Sequence, residues 1–262
     1  MLRDNLNDSI HSTDKPKVSI VMPAFNAARY IEQAVASVIE QTYQNWELLI
    51  VDDASNDRTL EIARALATGD ARIRVFANDH NLGVAESRNL ALREANGCYI
   101  AFLDSDDLWL PEKLSKQVEF MARHDIAVCY ANYRRIDEHG NSLGAVVPPT
   151  RIDYELLLKS NFIGNLTGIY NAGALGKQYF SKFGHEDYVA WLDLVRKTNL
   201  ACSVGEELAL YRVYGGSISG NKLKAARWQW KIYRNHLSLG IVRSFRLMLS
   251  YFYYALRKRV PG

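Results

Sequence analysis

An α/β fold, with a mainly parallel central sheet covered by helices on both faces, is what this sequence predicts. Three observations carry that prediction. Short apolar runs rich in β-branched residues recur through the first half of the chain, and the segments between them place apolar residues at helical spacing. The chain is also long and apolar enough, at 262 residues and 48% hydrophobic, for one substantial core with a small appendage. Strands spaced by helices require crossover connections, which join parallel neighbours.

The first run is "KVSIVM" (17–22), with Pro23 and Asn26 as its stop. Ile31, Ala34, Val35, Val38 and Ile39 then fall at i, i+3, i+4, i+7 and i+8, one face of a helix. "WELLIVD" (46–52) is the second strand; Ser55 or Asn56 supplies a cap for a helix carrying Leu60, Ala63 and Leu66. "IRVFAN" (73–78) is the third strand and 84–95 the third helix. "CYIAFLD" (98–104) is the fourth strand, and Pro111 suits the first turn of a helix running to Arg123. "IAVCYANY" (126–133) is the fifth. Beyond it the pattern loosens: "DEHGN" (137–141) is a hairpin turn, "VVPP" a stop, and 152–160 a short helix. Tyr188, Trp191, Leu192 and Val195 mark another amphipathic helix, "LALYRVY" (208–214) a strand, and "GGSISG" a flexible loop; from Lys222 the chain is helical in composition. No repeat or low-complexity tract is present.

The net charge of +3 conceals an asymmetry. Residues 208–262 hold eleven Lys/Arg and no Asp or Glu, which leaves 21 basic and 29 acidic groups in 1–207, a balance of −8. An acidic body with a basic end meets different partners at the two parts. A nucleic acid is a poor candidate, because the acidic body repels phosphate chains. Cys98, Cys129 and Cys202 form no metal or disulfide spacing, which fits a reducing cytoplasm. The first fifteen residues are polar and read as a loose tail, and no uncharged apolar stretch approaches the roughly 20 residues a bilayer span needs.

The chemistry concentrates in "YIAFLDSDDLWLPEKL" (99–114), where Asp104, Asp106 and Asp107 follow a strand directly. In open parallel sheets ligands sit beyond the carboxyl ends of the strands. Asp52 and Asp53 stand at a second such end. Each pair alone also suits a helix cap. Together they suit a hard divalent cation, Mg²⁺ or Mn²⁺, bound with substrate phosphates, which offsets the repulsion among the carboxylates. Rival motifs fail. No GxGxxG opens a helix, and "NAGALGKQ" has Asn171 and Gln178 where a P-loop needs Gly and Ser/Thr.

"VSIVMPAFNAARYIEQAVASVIEQTYQNWELLIVDDASNDRT", "NLGVAESRNLAL" and "YIAFLDSDDLWLPEKL" resemble, in order and spacing, the successive signatures of the family 2 glycosyltransferases with the GT-A nucleotide-diphospho-sugar transferase fold. The resemblance covers about residues 17–215 and implies a GT-A domain over 16–221, between a tail (1–15) and a basic aromatic helical segment (222–262). It implies that Asp53 hydrogen-bonds the base of a uridine nucleotide, in a pocket lined by Pro23, Ala24, Phe25 and Asn26, with Arg88 near the base and the aspartates. Arg88 also reads as a structural ion pair with Asp53 or Asp104. Asp104 and Asp106 match the DxD motif: Asp106 for direct metal contact, Asp104 for the ribose, the metal or a bridging water, and Ser105 beside the donor. Asp107 has the N-terminus of the next helix as its alternative.

"GHEDYVAWL" resembles the family's acceptor-side element, which makes Asp187 the general base, with Glu186 and Trp191 on the acceptor side. A plain helix cap is the competing reading for Asp187, and a satisfied loop histidine the one for His185. "YRVYGGSISGNK" resembles a loop closing over the diphosphate, with Arg212, Ser217 and Ser219 matching. Tyr214 stands where many relatives carry His, and a neutral phenol is a poor metal ligand. The implied reaction is an inverting transfer from a nucleotide-sugar donor, a UDP-sugar foremost, to a hydroxyl of a glycan or polyprenyl-diphosphate-linked acceptor, in surface polysaccharide biosynthesis at the cytoplasmic face of the inner membrane. A nucleotidyltransferase and a non-catalytic nucleotide- or glycan-binding subunit are the alternatives. From Trp228 to Val260 aromatics interleave with Arg and Lys. That pattern serves an anionic membrane surface, packing on the core, or a homodimer contact.

Overall fold

A computed structural model describes residues 15–214 and 222–257. The N-terminal tail expected over 1–15 lies outside them but for its last residue, and so does the segment 215–221 with Ser217 and Ser219. The chain begins with β1 (Val18–Ala24), α1 (Ile31–Ile39), β2 (Trp46–Asp52), α2 (Thr59–Gly69), β3 (Ile73–Ala77), α3 (Val84–Glu94) and β4 (Tyr99–Phe102). It continues through β5 (Leu108–Trp109), α4 (Lys113–His124), β6 (Val128–Ile136), β7 (Ser142–Val146), β8 (Arg151–Ile152) and α5 (Tyr154–Leu157). Then come β9 (Ile169–Asn171), α6 (Ala172–Leu175), α7 (Glu186–Thr198), β10 (Ala201–Arg212), α8 (Lys222–Lys231) and α9 (Ile241–Arg257).

The sheet runs β3-β2-β1-β4-β9-β6-β10-β5, with β7 paired to β6 and β8 to β10. Its first four strands are parallel, in the register Val18↔Trp46 for β1 on β2 and Val18↔Tyr99 for β1 on β4. A mainly parallel sheet was too simple an expectation. The three-residue β9 enters antiparallel between β4 and β6, and β5, β7 and β8 also pair antiparallel, so the sheet is mixed.

β1 does not stop at Pro23, which stays in register with Val51. The reason lies in its direction. The carbonyl of Val21 accepts from Leu103 on the β4 side. Pro23, two residues on, points the same way past the last β1–β4 pair, so its missing N–H breaks no ladder bond. Nor do Ser55 and Asn56 cap α2. The Asp57 carboxylate accepts from the Thr59 amide at 2.9 Å, while Ser55 and Asn56 bond to Asn26 across the sheet's edge. Pro111 lies just before α4 rather than inside it.

Alternation along β1 divides the core between two faces. Ile20 and Met22 pack with Leu48, Ile50, α1 and α4. Val21 packs on the other face with Leu49, Val51, Phe102, α3 and α7. Leu48 and Leu49 are both fully buried, and truncating either to Ala would cost about 2–5 kcal/mol. The second face also receives the C-terminal helices: Ile232, Tyr233, Leu247 and Met248 are buried in it. No helix among the described residues is long and apolar enough to cross a membrane.

Candidate active site

The carboxyl ends of β1, β2 and β4 share one edge of the sheet, and the acidic residues stand along it. Asp53 follows β2 and is buried. Its Oδ1 accepts from Asn78 Nδ2 at 2.7 Å and from the Leu82 amide at 2.9 Å, and its Oδ2 from the Gly83 amide at 2.8 Å. Burial alone would raise its pKa, but these donors outweigh burial and hold the carboxyl below the usual range. Asp53 thus ties the turn before α3 to the end of β2. Its neighbour Asp52 accepts from the Ser55 amide through Oδ2 at 3.1 Å, and its buried Oδ1 has no partner among the described residues.

The loop after β1 is pinned against the loop after β2. Asn26 donates its amide to Ser55 Oγ at 2.9 Å and accepts from the Asn56 amide at 2.8 Å, and the Ala27 amide donates to Thr59 Oγ1 at 2.7 Å. Asn26 and Ala54 both hold positive φ, at 49° and 59°. Such strain costs about 1–2 kcal/mol for Ala and gathers at functional sites. Of the four residues expected to line the nucleotide pocket, Pro23 and Ala24 are buried in β1, whereas Phe25 and Asn26 are exposed.

β4 ends at Phe102, and the chain turns through Asp104, Ser105, Asp106 and Asp107. The Asp107 amide closes this turn on the Asp104 carbonyl at 3.1 Å. Arg88 from α3 donates to Asp104 Oδ1 at 2.6 Å, an ion pair that is compatible with a place beside the donor. It is 5% exposed and lies 5.2 Å from the centre of the Phe180 ring. Burial works against its charge, but Asp104, Asp187 and Glu186 together hold the guanidinium protonated. Ser105 is buried under the turn.

Asp106 keeps a half-buried carboxylate whose Oδ2 accepts from the Tyr214 hydroxyl at 2.9 Å. Burial first, and then the Asp104 charge, push its pKa up. Asp107 is pushed well up by burial, Asp106 and Asp104. It does not serve a helix N-terminus: its Oδ1 accepts from the Arg212 amide at 2.8 Å, 105 residues away in sequence. Asp104 and Asp106 remain only half-buried at the sheet's edge, a placement that suits a cation.

Among the described residues no three acidic, His or Cys side chains converge to form a complete metal cage. Mg²⁺ and Mn²⁺ do not need one, because they keep waters and substrate phosphate oxygens beside one or two carboxylates. Asp106 and Asp104 are the residues that would hold such an ion.

Two expected site residues have other work. Arg212 is not part of a loop but the last residue of β10, and it is buried. Its Nε donates to the Asp106 carbonyl at 2.9 Å, one terminal nitrogen to the Glu138 carbonyl and the other to Gln33, and the guanidinium covers Tyr30. It braces the acidic turn. Trp191 is not on the acceptor side either. It is 1% exposed, edge-on to Phe102, and so close to Gly168 that a Cβ there would come within 2.1 Å of the indole. The resemblance of "GHEDYVAWL" put it on the acceptor side, but that part of α7 is buried nearly all round.

Asp187 and Glu186 are half-buried in the first turn of α7, after His185 in the left-handed region at φ 52°. Asp187 is thus inside the helix rather than its cap. Its Oδ2 accepts from Asn161 Nδ2 at 3.2 Å. His185 lies edge-on to Trp228 of α8, and the same indole sits against Gly184. Gly184 has φ +70°, and a Cβ there would stand 2.5 Å from Trp228. Sequence reasoning missed Asn161 and Asn78, and read Trp228 as part of the aromatic segment without a place beside His185. Only Asn78, directly after a strand that ends at the acidic edge, carried a local signal.

The family model described as Glycosyl transferase family 2 matches residues 19–180. Over 242 residues the chain is 38% identical to the UDP-Glc:alpha-D-GlcNAc-diphosphoundecaprenol beta-1,3-glucosyltransferase WfgD of Escherichia coli, covering 92% of this chain and 94% of that protein. It is also 38% identical over 248 residues to TuaG of Bacillus subtilis (strain 168), provisionally assigned as a teichuronic acid biosynthesis glycosyltransferase, covering 94% and 98% of the two chains. Among solved structures it is similar to S. aureus TarS 1-349 in complex with UDP-GlcNAc, with a TM-score of 0.68 and 20% identity over 90% of this chain and 71% of that one. The mannosyltransferase PcManGT from Pyrobaculum calidifontis, in complex with GDP-Man and Mn²⁺, gives a TM-score of 0.67 at 18% identity over 91% and 69%.

Proposed function

Because the chain belongs to glycosyl transferase family 2 and is a glycosyltransferase of GT-A fold, we propose that it transfers a sugar, with inversion, from a UDP-sugar to a hydroxyl of a polyprenyl-diphosphate-linked glycan. The acceptor class follows WfgD, and a place in surface polysaccharide biosynthesis follows WfgD and TuaG. In this reading the protein works peripherally at the cytoplasmic face of the inner membrane, where such acceptors are displayed.

The observation that carries the proposal is the placing of the Asp104 and Asp106 carboxylates in the turn after β4, at the edge of the sheet where β1 and β2 also end, with Arg88 donating to Asp104. When bound at Asp106 and Asp104, a divalent ion, Mn²⁺ or Mg²⁺, supplies positive charge to the departing diphosphate. Everything else belongs to the chain's own residues. Asp53 and the loop of Phe25 and Asn26 hold the nucleoside. Arg88 fixes Asp104 and links the donor carboxylates to those of the acceptor side.

Asp187 takes the proton as the acceptor oxygen forms its bond to the anomeric carbon and the bond from that carbon to the phosphate oxygen breaks. Attack from the face opposite the nucleotide converts an α-linked donor into a β-glycoside. Asn161 orients Asp187.

The test is a screen of UDP-, GDP- and dTDP-sugars for transfer to a synthetic lipid-diphosphate-linked sugar, with UDP-glucose first because WfgD uses it. Turnover with a UDP-sugar is expected. Turnover confined to GDP- or dTDP-sugars would overturn the nucleotide assignment.

A further inference from the structure

The last described helix is apolar on two sides. Leu247 and Met248 of α9 are buried in the core, Ser244 is fully buried, and Tyr254 meets Phe162 edge-on at 5.1 Å. Yet Ile241, Val242, Phe245, Leu249, Phe252 and Tyr253 are 64%, 63%, 60%, 56%, 47% and 54% exposed. At about 100° per residue these six fall within an arc of about 120°, away from the buried arc. Arg243, Arg246 and Ser250 occupy the sector between the two arcs on one side. A contiguous apolar stripe of this size, edged by arginine, marks a surface that another phase or molecule covers.

Charge decides which. The chain from 208 to 262 has eleven basic residues and no acidic one. Face-to-face pairing of two copies through α9 would set two such segments against each other, and Glu155, the acid beside the helix, is already paired with Arg243. An anionic lipid surface offsets both. We propose that the outward face of α9 docks on an anionic bilayer, its apolar stripe entering the headgroup–acyl boundary and Arg246 meeting the lipid phosphates.

The docking helices bear directly on the acceptor side of the site. Tyr254 of α9 packs on Phe162, next to Asn161, which donates to Asp187. Trp228 of α8 packs on Gly184 and His185, next to Glu186. Docking through α9 therefore turns the Asp187 end of the molecule toward the bilayer. This second step rests on the lipid-linked acceptor proposed above, whereas the docking surface itself does not.

The experiment is flotation of the full chain with phosphatidylcholine vesicles, with and without phosphatidylglycerol, beside a Phe245→Ser/Leu249→Ser variant and an Arg246→Glu variant. The wild type is expected to float with the phosphatidylglycerol vesicles and to be released by salt. The double variant should lose at least about tenfold in partitioning, and Arg246→Glu should bind the anionic vesicles more weakly. Both variants change exposed side chains, so unchanged circular dichroism and unchanged transfer to a water-soluble acceptor are the folding control. Equal flotation of wild type and double variant would overturn the proposal. So would a wild-type dimer in vesicle-free solution that the double variant converts to monomer. Flotation that behaves as expected without any transferase activity would support the docking surface and count against the proposed function alone.

Discussion

The hydroxyl of Tyr214 donates to Oδ2 of Asp106 at 2.9 Å, so the residue just beyond β10 occupies an oxygen of the carboxylate best placed for a metal. Tyr214 also packs on Tyr30 with ring centres 5.8 Å apart, and its phenol is pushed up to about 12 by burial and by the Asp106 charge. It is a neutral donor at any physiological pH. An incoming cation and this phenol compete for the same oxygen.

Tyr214→Phe is accordingly expected to tighten Mn²⁺ binding in the absence of nucleotide, by up to about tenfold, the worth of one hydrogen bond to a charged group. Electron paramagnetic resonance titration of free Mn²⁺ reads this directly. Weaker binding in the variant would mean that the phenol supports the carboxylate in its binding pose instead of obstructing it.

Asp187→Asn removes the proton acceptor while keeping the contact to Asn161 in shape. Turnover should fall by about 10²–10⁴-fold, with UDP affinity by calorimetry unchanged. Asn161→Ala should lower turnover by about tenfold, since it removes the orienting hydrogen bond to Asp187 and leaves the carboxylate itself in place. Equal losses in the two variants would show that Asp187 acts through structure.

Gly184 couples α8 to the catalytic turn. A Cβ at this position meets the Trp228 indole, and its φ of +70° disfavours any other residue. Gly184→Ala should cost about 1–3 kcal/mol of stability and reduce turnover while leaving UDP binding intact. Trp228→Ala in the same background should restore part of the turnover, because it removes the clash. Thermal melts and initial rates on the single and double variants check both.

Lys113 supplies a pH dependence. Its ammonium is fully buried, 2.7 Å from Gln117 Oε1 and 3.9 Å from the centre of the Trp109 ring, and burial pushes it down to about 7. The unfolded chain keeps an ordinary lysine near pH 10.4. Between these values the unfolded state binds more protons, so the Lys113 contribution to stability rises with pH, by at most about 1.4 kcal/mol per unit. Urea unfolding at pH 7, 8 and 9 should show the wild type gaining on Lys113→Met as pH rises. A constant difference between the two proteins would contradict the buried charge.

The four parallel strands and the three helices between them were legible because each is a local pattern: a β-branched run such as "VSIVM", or the 31-34-35-38 spacing, needs no distant partner. Asp104 and Asp106 drew attention because three carboxylates in four positions repel one another, and the DxD reading itself came from the family resemblance. β9 was not, since "IYN" is too short for periodicity and owes its place between β4 and β6 to the sheet already formed. Arg212 and Asp107 were misread for a related reason. Their bond spans 105 residues, and neither flanking sequence records it. Trp191 was placed with the site by its membership of "GHEDYVAWL", but α7 is buried nearly all round at that point and the indole belongs to the core.

The central claim is that Asp106, with Asp104 beside it, holds a divalent ion against the diphosphate of a UDP-sugar. Calorimetric titration of UDP into the wild type and Asp106→Ala, each with and without Mn²⁺, tests it most directly. The expected result is that Mn²⁺ tightens UDP binding to the wild type by at least about tenfold, and that the variant binds UDP equally weakly with or without the ion. A wild type indifferent to Mn²⁺ and Mg²⁺, or a variant that keeps the full metal effect, would contradict it.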